Sequence, residues 1–149
     1  MDRNVTHATF TLERTYPHSL PAVFAAWADP SLKAQWFAPG SGDHELDFRV
    51  DGRESVSAEH DGKQLRFDTV YRDIVDGERI AYSSVMTSDG RPTTLSQTTV
   101  EFRAVDGGTA VVLTEQGAFL DGMELPEWRE EGTASQLEAI DAVLAGRGA

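Results

Sequence analysis

Six Asp-Gly dipeptides punctuate the chain, at Asp51-Gly52, Asp61-Gly62, Asp76-Gly77, Asp89-Gly90, Asp106-Gly107 and Asp121-Gly122. A two-residue hairpin turn needs φ > 0 at its central residues, a region Asp tolerates and Gly occupies freely. Asp-Gly between alternating apolar segments therefore marks a strand reversal. Six of them, 10 to 17 residues apart, predict an antiparallel meander.

The intervening segments alternate with period two, as strands with one covered and one wet face do. An early strand, roughly Thr6 to Tyr16, sets Ala8, Phe10, Leu12 and Arg14 on one face. His44 to Val50 carries Leu46, Phe48 and Val50 together. Leu65, Phe67, Thr69 and Tyr71 share a side, as do Ile80, Tyr82, Ser84 and Met86, then Thr98, Val100 and Phe102, then Val111 and Leu113. Glu54 to Glu59 is more polar and reads as an edge strand.

Two regions switch to helical spacing. Ser19 is an N-cap and Pro21 suits a first turn. Val23, Phe24 and Trp27 follow before Asp29-Pro30 ends that helix, and a second, Pro30 to Phe37, carries Leu32, Trp36 and Phe37. A final helix from Pro126 to about Ala145 opens on Glu127, Glu130 and Glu131, where carboxylates meet the positive end of the helix dipole. Its apolar stripe is Thr133, Leu137, Ile140 and Leu144. Gly132 costs such a helix about 1 kcal/mol relative to Ala. It therefore signals either a close approach to the sheet or room left beneath the helix.

Composition narrows the function. The 149 residues carry a formal charge of -12, a field that repels phosphate backbones and anionic headgroups, so neither nucleic acid nor a membrane is an expected partner. There is no cysteine, which removes disulfides, thiolate catalysis and Cys-based zinc sites. Met1 to Thr11 has no apolar h-region, so a cytoplasmic location is expected. His7, His18, His44 and His60 form no i, i+4 pair, no G-x-S-x-G elbow is present, and no Gly-rich loop leads a strand into a helix. No metal, no cofactor and no catalytic residue is predicted.

The stretches Tyr16–Pro30 and Gln35–Gly40 resemble the opening motif of the heat-shock-protein ATPase activator homologue-like family, in the START/SRPBCC superfamily. Thr69–Val75 with Glu78–Tyr82 is similar too, and Leu113–Gly122 with Arg129–Thr133 looks like one bacterial branch. The resemblance implies an α+β helix-grip fold spanning residues 1–149 as one domain. A curved antiparallel sheet of about six or seven strands wraps around a long C-terminal helix, with two short helices after the first strand. It also implies a cavity between sheet and helix. Many relatives bind hydrophobic molecules there, and a few catalyse polyketide cyclisation or dehydration. The chaperone-stimulating role of the eukaryotic namesakes, which use an additional N-terminal domain, is not expected.

Candidate site residues follow from which side chains face inward. Arg14 shares the face of Phe10 and Leu12, and Glu115 that of Val111 and Leu113. A buried guanidinium needs a partner, so Arg14 either pairs with Glu115 or orients an acidic or carbonyl ligand. A one-residue slip would put both outside. Trp27, Trp36, Phe37, Phe48, Tyr71, Tyr82, Phe102 and Trp128 either line a cavity or fill a core. Tyr71 and Tyr82 are favoured for the cavity because a buried phenol wants a polar partner, and His44 is a further polar candidate. The expected function is non-enzymatic binding of a small hydrophobic molecule. The alternatives are a cyclase- or dehydratase-like enzyme, with His44 or Glu115 at the cavity wall beside Arg14 or a tyrosine, and a protein-interaction module, a homodimer included.

Overall fold

The computed structural model describes residues 3–147. Its elements run β1 (Val5–Tyr16), α1 (Leu20–Ala28), α2 (Pro30–Phe37), β2 (Glu45–Leu46), β3 (Arg53–His60), β4 (Lys63–Val75), β5 (Arg79–Ser88), β6 (Arg91–Val105), β7 (Gly108–Leu120) and α3 (Pro126–Arg147). All seven strands form one antiparallel sheet in the order β1-β7-β6-β5-β4-β3-β2. The meander is local from β2 to β7. The first strand returns to pair with the last, across the gap that α1 and α2 span in sequence.

Four of the six Asp-Gly pairs make the hairpins of this meander, between β3 and β4, β4 and β5, β5 and β6, and β6 and β7. At Asp89-Gly90 both residues have positive φ, 49° and 81°, the type I′ geometry that matches strand twist. The other two pairs depart from expectation. Asp121-Gly122 leads β7 towards α3, and Asp51-Gly52 closes a loop stacked on β4, with Asp51 N–H donating to the Tyr71 carbonyl and Tyr71 N–H to that of Gly52. A Cβ on Gly52 would sit 2.1 Å from the Asp47 carbonyl oxygen, so this glycine serves close approach. The same loop corrects the strand expected over His44–Val50, which survives only at Glu45–Leu46. Beyond Ser55, β3 is paired on one side only, the exposed edge its polarity predicts.

Extra residues at Arg72 and Thr93 break the β4–β5 and β5–β6 registers; such bulges bend a sheet. The covered face meets the helices. Ser19 caps α1 and Asp29 caps α2, each accepting from the first helical turn. The Trp36 indole N–H donates to the Ala26 carbonyl at 2.8 Å, fixing α2 on α1. The Tyr16 hydroxyl donates to the Leu137 carbonyl at 2.7 Å, tying β1 to α3. Leu137, Ile140 and Leu144 are buried, as the helical stripe predicts, with Trp27, Phe102, Val100 and Val111 in the same core. Among the described residues no helix is long and apolar enough to cross a membrane.

Candidate functional site

A cavity of about 270 Å³ lies between the sheet and the helices. The strands contribute Phe67, Tyr82, Met86, Leu113 and Glu115, while α1 and α2 contribute Trp27, Lys33, Trp36 and Phe37. From α3 come Trp128, Arg129, Gly132, Thr133, Gln136 and Leu137, spaced by one, three, one, three and one, which is one face of a helix. An ideal Cβ built on Gly132 meets nothing within 4 Å. No close approach calls for this glycine: it is exposed and lies at the open edge of the cavity lining.

Two buried polar networks border this space. In the first, Lys33 Nζ donates to Glu54 Oε1 at 2.9 Å and lies 3.4 Å from the Tyr71 hydroxyl, which itself donates to Glu54 Oε1 at 2.6 Å. His44 Nε2 donates to Glu54 Oε2 at 2.7 Å. Burial pushes the Glu54 carboxyl up, but the Lys33 charge and the His44 and Tyr71 hydrogen bonds outweigh it and hold its pKa near 2. Burial and then Glu54 push the Tyr71 phenol far up. The Lys33 ammonium also stands 4.4 Å from the Phe37 ring centre, a cation–π contact.

In the second network Arg129 grips Glu124 with Nε and Nη2, at 2.9 and 2.8 Å, and Glu115 Oε2 with Nη1 at 2.9 Å. Thr98 donates to Glu115 Oε1 at 3.1 Å, and Thr94 donates to Glu124. Burial pushes the Glu115 carboxyl up against the pull of Arg129 and Thr98, and pushes the Tyr82 phenol up with Glu115 adding to it. A buried guanidinium needs such dense pairing to offset its desolvation.

Six of the eleven sequence-derived candidates stand on the cavity wall: Trp27, Trp36, Phe37, Tyr82, Glu115 and Trp128. The other five lie elsewhere. Phe102 packs edge-on against Phe24 and Trp27, Phe48 sits between Phe24 and Tyr71, and Tyr71 and His44 serve Glu54. Arg14 corrects the expected pairing. Its face is as read, but the β1–β7 register sets Phe10 opposite Glu115 and Arg14 opposite Val111. Arg14 reaches Glu138 on α3 instead, at 3.6 Å, and Glu115 takes Arg129. Lys33, Glu54, Glu124 and Arg129 were missed. Lys33 falls within the Leu32, Trp36, Phe37 stripe of α2, and Arg129 lies one turn before Thr133 on the α3 stripe. A charge in phase with apolar neighbours was the available signal for both; Glu54 and Glu124 offer none. No three His, Asp or Glu side chains among the described residues form a metal-holding group.

A seven-stranded sheet closed over a C-terminal helix, with a cavity between them, is the helix-grip class of domain. The chain belongs to the family described as Activator of Hsp90 ATPase homolog 1-like protein, whose profile matches residues 17–145. Among solved structures it is similar to an uncharacterised protein from Rhizobium leguminosarum, at 37% identity and TM-score 0.93, covering 97% of this chain and 99% of that one. A protein from Rhizobium loti follows at 42% identity and TM-score 0.88, covering 94% and 99%, and one from Chromobacterium violaceum at 26% and 0.76, covering 91% and 96%. No curated protein matches the chain.

Proposed function

We propose that this domain binds a small hydrophobic molecule in the cavity between the sheet and α3, without chemical turnover. The observation that carries the reading is a cavity of about 270 Å³ with mostly apolar walls, left open where Gly132 has no side chain. A dry cavity of about 150 Å³ accommodates one benzene, so this space suits a molecule of about two rings. Apolar walls with a few convergent polar groups are the usual make-up of a ligand pocket. The half-exposed Trp128 stands at the rim, where it can close over an occupant.

Native mass spectrometry of protein purified without detergent should show a co-purifying mass that Gly132→Leu loses. Naphthalene should also quench tryptophan fluorescence saturably, since Trp27, Trp36 and Trp128 line the space. Absence of both signals overturns the proposal.

One observation favours a second reading, cyclase- or dehydratase-like chemistry. Glu115 stands on the cavity wall with its carboxyl pushed up, close to the Tyr82 phenol, which is how a general acid is prepared. On this reading Glu115→Gln abolishes turnover of a cyclisable substrate while its binding persists. Unchanged turnover sinks it.

A further inference from the structure

We infer that the cavity selects an uncharged aromatic molecule bearing a hydrogen-bond donor, and rejects the carboxylate of the same shape. The inference rests on the binding function proposed above and names the class of ligand.

The reason lies in how the cations at the wall are already engaged. Among the described residues, two cations line the cavity, Lys33 and Arg129. Lys33 is held by Glu54 and capped by the Phe37 ring. Arg129 is held by both oxygens of Glu124 and one of Glu115. Each of the two cations is thus already matched by a buried acidic partner, Glu54 for Lys33 and the Glu115–Glu124 pair for Arg129. A ligand carboxylate entering a buried space needs a cation with pairing capacity to spare. To reach Lys33 it must displace Glu54, which is 2% exposed and would then be stranded. Arg129 directs three of its five N–H donors to Glu124 and Glu115, and a ligand carboxylate there would be a third carboxylate crowded around one positive charge.

The wall instead offers acceptors. Each Glu115 oxygen receives one protein hydrogen bond, while a carboxylate oxygen has room for a second. A ligand hydroxyl can therefore donate to Glu115, whereas a ligand anion meets repulsion there. The ring edges and faces of Trp27, Trp36, Phe37 and Phe67 supply the aromatic contacts.

The test titrates wild-type and Glu115→Gln protein near neutral pH with three probes: naphthalene, a naphthol (un-ionised there, as phenols are) and the corresponding naphthoate. Tryptophan quenching and thermal shift are the readouts. Naphthol is expected to bind at least about tenfold more tightly than naphthoate to the wild type, and Glu115→Gln should narrow that gap. Naphthoate binding as well as naphthol, or a gap that Glu115→Gln leaves unchanged, overturns the selection by charge while saturable naphthalene binding keeps the cavity function standing. Failure of all three probes overturns the cavity function and this inference with it.

Discussion

Lys33 Nζ lies 2.9 Å from Glu54 Oε1, with both side chains 2% exposed, so a helix residue and a strand residue 21 positions apart form an ion pair sealed from solvent. Removing one partner of such a pair leaves the other charge buried and costs about 3–5 kcal/mol, whereas an apolar replacement of both is often close to neutral. Lys33→Met is therefore expected to destabilise by about 3 kcal/mol, and Lys33→Met with Glu54→Leu to recover much of the loss. Urea denaturation of the two single variants and the double one checks this. Additive losses would show that the charges do not depend on one another.

Acid should act on the same pair. The Glu54 pKa falls from 4.5 to about 2 on folding. A depressed carboxylate contributes stability above its unfolded pKa and loses it as pH falls towards the folded value. Stability should therefore drop between about pH 4.5 and 2, by about 3 kcal/mol from this group at 1.36 kcal/mol per unit. Asp43, also held near 2 by hydrogen bonds from Ser57 and Ser41, titrates in the same window. The wild type must be compared with Glu54→Gln, whose stability profile should be flatter there. Identical slopes in urea melts at stepped pH would remove Glu54 as the cause.

Much of this architecture was legible because it is local. Period-two alternation, Asp-Gly turns and the caps at Ser19 and Asp29 each act over a few residues. The site was legible only by face. Parity correctly placed Arg14 and Glu115 inward, yet their partners depend on register and on where α3 lies, and neither is written near either residue. Lys33–Glu54 joins a helix to a strand read only as a polar edge. Arg129 sits among Glu127, Glu130 and Glu131, in a turn whose charges otherwise suit solvent and the helix dipole. The strand expected over His44–Val50 failed because alternation does not reveal that the chain leaves the sheet after Leu46. It loops back on itself there, with Arg49 N–H donating to the Asp47 carbonyl and Gly52 N–H to that of Arg49, before the turn read at Asp51.

The two arginines that reach α3 or lie on it should separate cleanly in mutation. Arg14 meets Glu138 at 3.6 Å, with 28% and 71% of the side chains exposed, a pair worth less than about 1 kcal/mol. Arg129→Ala strands Glu115 and Glu124 and should cost about 3–5 kcal/mol. Chemical denaturation of each variant gives the comparison, and Arg14→Ala should leave naphthol affinity unchanged. Comparable losses would mean that Arg14 has a structural part its exposed pairing does not explain.

Gly132 allows stability and binding to be moved in opposite directions. It lies inside α3, its backbone is not in the positive-φ region, and a Cβ there meets nothing within 4 Å. Gly132→Ala should therefore stabilise the protein by about 1 kcal/mol, the helix-propensity difference. Gly132→Leu projects further into the cavity and fills it with apolar atoms. It should melt no lower than the wild type while losing the saturable quench by naphthalene. A destabilised Gly132→Ala would show that the helix uses the missing side chain for a close approach after all. A Gly132→Leu protein that still binds would place the ligand elsewhere than beneath α3.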